Sequence, residues 1–373
     1  MATATELKSK LAALQSALED YIANDDNDEL TDEERQILER FRALPKDTQA
    51  AFKNLLENVA EKLSAQNFCD NEDATDDDDS STDGLPKIGT PLNNCTWEQI
   101  SAVSKAGLGE KYFNIGDCKE ITLNGKIGGW LTLENEKLSV FILHFNYPIN
   151  GKPDKNIIWG GFKTSDGTDV ALCDNKYMKG FTDGTICFNM NHWGNVNYGG
   201  WKGCDLRYDI LGATSLAPSQ YNRIKAKNNV GYDATAETLT NPKENTLLAA
   251  LPADFRNVLR LWSRWIDAKG NRSNVEANIE ETIDAVTLLA EFEVYGSRTL
   301  ANECEQNHQT QMAYYKNGND KIKNNNSLMS SVYWWSSSPH YFNYSTFCNV
   351  STDGLESNRN AHASFGVAPA FMS

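Results

Sequence analysis

Tyr333-Trp334-Trp335-Ser336-Ser337-Ser338-Pro339-His340-Tyr341-Phe342-Asn343-Tyr344-Ser345-Thr346-Phe347-Cys348-Asn349-Val350 decides the fold, together with the residues after it. An Asp353-Gly354 pair comes next, then Leu355-Glu356-Ser357-Asn358-Arg359-Asn360-Ala361-His362-Ala363-Ser364 and a closing Phe365-Gly366-Val367-Ala368-Pro369-Ala370-Phe371. Short aromatic and β-branched groups bounded by Gly, Asn and Ser read as strands. Strands are therefore expected around 333–335, 347–350 and 365–371, with Asp353-Gly354 as a hairpin turn. Between the apolar markers the chain is Asn, Ser, Tyr and His, almost without Lys, Asp or Glu. A solvated loop usually holds more charge and less Tyr. Tyr offers contact area at low entropy cost, and Ser and Asn offer adaptable hydrogen bonds. The composition is that of a binding face.

Upstream, 286–294 reads as an apolar strand ending at Tyr295-Gly296, and 247–265 has a helical pattern with a local start at Pro252-Ala253-Asp254. Leu206, Ile210 and Leu211 suggest a helix after Trp201, and Ile157-Ile158-Trp159 a short strand. Ile121-Thr122-Leu123 runs into Asn124-Gly125, a type I′ hairpin signal. A second hairpin is expected from 130–133 and 138–145 around Glu134-Asn135-Glu136. Thr96-x-x-Gln99 is a capping box for a helix carrying Trp97, Ile100 and Val103 on one side and closed by Gly107. Helices mixed with short antiparallel strands and long loops predict an α+β domain over 85–373.

The first 68 residues read differently. Leu7, Leu11, Leu14 and Leu18 recur at helical spacing, Thr31-x-x-Glu34 caps a second stripe, and Phe52, Leu55, Leu56, Val59 and Leu63 mark a third. Three short helices suit either a small bundle or a segment that docks on itself or on a partner. Residues 69–84 are acidic and carry no large apolar group, so they read as a tether.

A net charge of −16 leaves no basic surplus for phosphates and argues against nucleic acid or anionic membranes. No apolar run approaches the roughly 18 residues of a membrane span, and no basic-then-apolar leader opens the chain. The eight cysteines form no Cys-x-x-Cys pair and read mostly as small buried hydrophobes. The five histidines lack zinc-hydrolase spacing. No Gly-x-Ser-x-Gly elbow or phosphate loop appears. Cys187 and His192 read as a buried thiol and a surface imidazole, and Asp205 with Arg207 as a structural ion pair. Neither a cofactor nor a metal is expected.

Trp-Trp-x-x-Ser-Pro, an aromatic-x-x-Val, the Asp-Gly turn and a terminal Gly-Val-x-Pro-Ala-Phe resemble the C-type-lectin-fold domain of phage and bacterial surface proteins. They are similar in particular to the variable proteins of diversity-generating retroelements. Tyr112-Phe113-Asn114-Ile115-Gly116-Asp117, Gly199-Gly200-Trp201 with Leu206-Arg207, and Glu293-Val294-Tyr295-Gly296 fit the same pattern over about 85–373. The resemblance implies a non-enzymatic protein that binds a protein or glycan on a target cell and is displayed on a virion or cell surface. It also implies that a reverse transcriptase rewrites adenines in the 3′ end of the gene, over about 334–373. The positions so diversified would be Ser336, Ser338, His340, Tyr341, Asn343, Tyr344, Ser345, Asn349, Ser351, Ser357, Asn358, Asn360, His362 and Ser364, all facing solvent on one surface. Ser336-Ser337 stand where the wider family has Leu-Arg, and Ala368 where it has Arg. The calcium-lectin signatures are absent. The fold-related alternatives are a metal- or Cys-dependent oxidoreductase and an inert structural virion protein.

Overall fold

The computed structural model describes residues 84–214, 232–327 and 330–373. The helices expected before residue 68 and all of the tether except Gly84 lie outside the described residues. Thr96 opens the first α-helix of the described residues by accepting from Gln99 N at 3.2 Å, while Gln99 Oε1 accepts from Thr96 N at 2.9 Å. This helix, α1 (Trp97–Ala106), buries Trp97, Ile100 and Val103 and stops at Gly107, whose φ of 75° is the left-handed C-cap glycine supplies most readily.

Strands are numbered in chain order. The main sheet holds β1 (Cys118–Ile127), β2 (Leu131–Phe145), β3 (Ile157–Lys163), β7 (Thr287–Leu288) and β13 (Pro369–Met372), in the order β1-β2-β3-β13-β7. Its neighbours all run antiparallel. The tail motif thus places its last strand inside the sheet, with Phe371 opposite Trp159. Trp97, Trp159, Phe255 and Phe371 pack beneath it, two of their contacts edge-on with ring centroids 5.4 Å apart. The other sheets are small: β10 (Trp334–Pro339), β11 (Thr346–Val350) and β12 (Glu356–Asn360) are antiparallel, β5 (Trp262–Asp267) pairs with β6 (Ile279–Asp284), and β8 (Lys323–Asn325) joins β4 (Val170–Ala171) to β9 (Ser331–Val332). Short helices, small antiparallel sheets and long connections make the domain α+β, as expected.

Three local expectations are corrected. Asn124-Gly125 does not turn the chain. The register passes from Leu123↔Glu136 to Gly125↔Leu133, so Asn124 alone faces Glu134 and Asn135. The turn residues of both proposed hairpins are the two halves of one β-bulge. Gly125 and Asn135 take positive φ, and Asn124 Oδ1 accepts from Asn135 N at 2.7 Å. The real turn follows Ile127, at Gly128-Gly129-Trp130. Residues 247–265 do not form one helix. Two single turns, Leu247–Ala250 and Ala253–Arg256, flank Leu251, which is extended because Pro252 follows it. Then β5 begins. Lastly, 286–294 is a strand only at β7, and from Glu291 the chain turns into the helix Glu291–Tyr295, closed by Gly296 in the left-handed region.

Arg207 is buried and paired, but not as the sequence suggested. Arg207 Nε binds Asp284 Oδ1, not Asp205, and its other nitrogens donate to the carbonyls of Lys202, Tyr232 and Ile283. Asp284 also accepts from Trp201 Nε1 at 2.8 Å, while Asp205 accepts from His192 N at 2.7 Å. Asp284 pairs because β6 turns it inward, against the helix Asp205–Asp209. Arg207 and Asp284 are almost wholly buried. Arg207→Met would leave Asp284 as an uncompensated buried charge, so urea denaturation should show a loss of about 3–5 kcal/mol.

Candidate functional site

Residues 340–345 link β10 to β11 and carry two exposed aromatic side chains. Phe342 is 64% exposed and Tyr344 47%. The backbone beneath them is fixed from below. Asn197, buried, donates its side-chain amide to the carbonyls of His340, Asn343 and Thr346 at 3.2, 2.9 and 3.0 Å. Its backbone N–H donates to Tyr344 O at 2.6 Å. One NH2 group has two protons for three carbonyls, so at least one is shared. His340 adds a second clamp: its Nδ1 accepts from Phe342 N and Asn343 N, both at 3.0 Å. That nitrogen must be unprotonated, and burial lowers the pKa of His340 in the same direction. Asn343 Oδ1 accepts from Ser345 N and Oγ, closing an Asx turn. Tyr344 stacks on Tyr198 with centroids 6.3 Å apart, and His340 on Tyr341 at 5.8 Å.

The second part of the face is β12, an edge strand. Its register sets Asn360 opposite Thr346, and Ala361 N donates to Ser345 O, so the C-terminal end of the strand meets the end of the loop. Ser357 and Asn358 are half-buried and Asn360 is exposed. His362 follows, half-buried over Gly180, where a Cβ would come within 2.5 Å of its ring. Tyr341, Asn343, Tyr344 and Ser345 thus share one loop and Ser357, Asn358 and Asn360 one adjoining strand, on which Ser357 points to the opposite side from Asn358 and Asn360, while His362 lies just past its end.

The other six expected contact residues do not face solvent. Ser336, Ser338, His340, Asn349, Ser351 and Ser364 are buried. They sit on or beside β10 and β11, which are covered on both sides, so the alternation that would turn every second side chain to water does not apply. Ser338 Oγ donates to Glu305 Oε2 at 2.6 Å and accepts from Glu291 N. Ser336 Oγ accepts from Ser338 N, and Ser364 Oγ donates to Asp174 Oδ1 at 2.8 Å. Ser351 binds Asp353 and Leu355 O across the Asp-Gly turn. Asn349 lies opposite Trp335 in the middle of β11.

Buried carboxylates hold the ground under the loop. Glu291 accepts from the N–H groups of Thr299, Leu300 and Ala301 at 3.2, 3.0 and 2.7 Å, and Tyr341 N donates to Leu300 O. Asp267 accepts from Lys269 N and Gly270 N, fixing the turn whose Asn271 N donates to Asn197 Oδ1. Burial pushes Asp267 up to about 6 and Glu305 up to about 8. Glu291 is raised by the same cause.

Sequence reading missed Asn197, Tyr198 and Phe342, and two arginines beside the loop, Arg272 and Arg298. Nothing in the run from Asn189 to Asn197 separates the clamping Asn from its neighbours. His192 is buried, not on the surface: its ring meets Asn189 Oδ1 and lies 3.2 Å from Asp209. Among the described residues five cysteines are buried, Cys95, Cys173, Cys187, Cys204 and Cys348, as expected of small hydrophobes.

Fold and site together define an α+β domain that presents a clamped aromatic loop beside a polar edge strand. The chain belongs to the family of the domain of unknown function DUF6273, whose model matches residues 182–372 and so spans this face and its clamps. No curated protein and no solved structure matches the chain.

Two pH effects are expected. The Glu305 carboxyl is raised in the fold, so its contribution is present below about 4.5 and is lost as pH rises to about 8. Urea denaturation from pH 5 to 9 should show Glu305→Gln with a flatter profile than the parent chain. His340 is lowered, so its clamp is present above the ordinary histidine range and is lost as pH falls. Amide-exchange protection factors at Phe342 and Asn343 should drop between pH 7.5 and 5, and His340→Ala should have low protection at both.

Proposed function

We propose that the protein is a non-enzymatic binding protein, displayed on a virion or cell surface. It contacts a protein or glycan on its target through loop 340–345 and β12. The observation that carries this reading is the pairing of exposed Phe342 and Tyr344 with a backbone clamped by buried Asn197. Large exposed rings on a pre-set loop lose little freedom on binding, which is the economy of a paratope.

A C-type lectin fold suits this arrangement. Two features favour it: the last strand lies within the main sheet, and β10–β12 form a second small sheet that carries the loop. Diversification, on this proposal, is confined to Tyr341, Asn343, Tyr344, Ser345, Ser357, Asn358, Asn360 and His362. The buried serines argue against change at their positions, because Ser338 and Ser364 satisfy buried carboxylates. Against a Cys-dependent oxidoreductase stand Cys173 and Cys187, whose thiols burial pushes up to about 12, away from the reactive thiolate.

The test is genetic and biochemical. A near-copy of the gene's 3′ end, differing at adenines, should lie beside a reverse transcriptase gene. Natural variants should differ at the eight positions and hold Ser338 and Ser364. Tyr344→Ala should weaken binding to intact target cells by more than about 1 kcal/mol with melting unchanged. No such copy, together with full binding by Tyr344→Ala, would refute the proposal.

A further inference from the structure

The chemistry of the partner can be narrowed, provided that loop 340–345 is the contact surface proposed above. We infer that the loop docks onto a folded protein that offers an apolar pocket with carboxylates at its rim. Two arginines flank the loop's rings. The Arg272 guanidinium lies 5.3 Å from the centre of the Phe342 ring, and that of Arg298 4.7 Å from Tyr341. Arg298 has an acid partner, Glu303, at 2.9 Å. Arg272 is exposed and, among the described residues, makes no hydrogen bond or ion pair. Its five N–H donors are therefore offered outward, and a planar fork of that kind fits a carboxylate.

The placement of Arg272 is built. Asn271 and Arg272 take φ of 64° and 62°, a left-handed backbone that side chains other than Gly, Asn and Asp seldom adopt. They are held there because Asn271 N donates to Asn197 Oδ1 and Gly270 N to Asp267 Oδ1. The amide that clamps the Phe342 loop and the oxygen that clamps the Arg272 loop belong to the same side chain. Cation and ring are thereby set side by side. Unusual backbone held by surrounding structure is a mark of ligand-contact loops.

The exposed ring decides between partner classes. A glycan recognises an aromatic by lying flat on its face, and Arg272 already covers a face of Phe342. A ring 64% in solvent gains most by entering a pocket, which a folded protein has and an oligosaccharide lacks. Carboxylates at the rim would then meet Arg272, a local attraction that selects the partner even though the chain as a whole carries −16.

The test uses the full chain and two probes: a display library of one small folded scaffold with a randomised surface, and an array of neutral and acidic glycans. Binders that compete at Tyr344 should be enriched in Asp and Glu around apolar residues. Arg272→Glu and Phe342→Ala should each weaken them more than about tenfold, and Arg272→Lys less, with melting unchanged. Binders that need Tyr344 but carry no acidic enrichment and ignore Arg272→Glu would overturn the inference and leave the binding-face reading standing. Glycan binding that is lost in Phe342→Ala would also overturn it. Binders indifferent to Tyr344, Phe342 and Arg272 alike would overturn both.

Discussion

One carboxamide, out of reach of water, holds the exposed end of this domain in shape. Asn197 sends its amide protons to three carbonyls of one loop and takes a proton from another loop with its oxygen. An unpaired polar group in such a place costs more than a formed hydrogen bond returns. The two loops therefore settle around it together, since neither can move without leaving a group unsatisfied. Everything that gives the face its character rides on them: the Tyr198–Tyr344 stack, the Phe342 ring and Arg272.

A layer of buried carboxylates extends the same logic downward. Glu291 gathers three successive N–H groups, Asp267 two, and Glu305 one more from Asp267 itself. Glu291 and Asp267 hold irregular backbone that neither helix nor sheet would satisfy, and Glu305 takes up the last N–H of β5. Long connections stay ordered here by borrowing side-chain acceptors. The desolvation that raises these groups is the counterpart of that service.

The fold was legible where local chemistry acts alone. Thr96 and Gln99 cap a helix, Gly107 ends it, and Asp353-Gly354 turns a hairpin, because those outcomes are set within a few residues. It was misread where a distant partner chooses among local options. Asn124-Gly125 tolerates positive φ in a turn or in a bulge, and Asn135 across the ladder selected the bulge. For the site, the exposed Tyr and Asn were readable from composition. The buried Ser residues of the same stretch were not, since Ser338 has the same formula in water or against Glu305. Asn197 was invisible because the carbonyls its amide binds lie over 140 residues away in the chain.

The edge strand β12 has a consequence of its own. Antiparallel ladders alternate their main-chain bonds, and Ala361 N bonds Ser345 O while Ser351 N bonds Leu355 O. Positions 357 and 359 therefore spend their amides on β11, whereas 356, 358 and 360 point theirs away. The strand is fastened to β11 by peptide groups, which every amino acid carries, and Arg359 adds a side-chain hold by lying 4.0 Å from the centre of the Tyr333 ring. Its shape is consequently indifferent to most replacements, with proline at 357 or 359 the clear exception. A surface that can be rewritten without being refolded is built into the way this strand is attached.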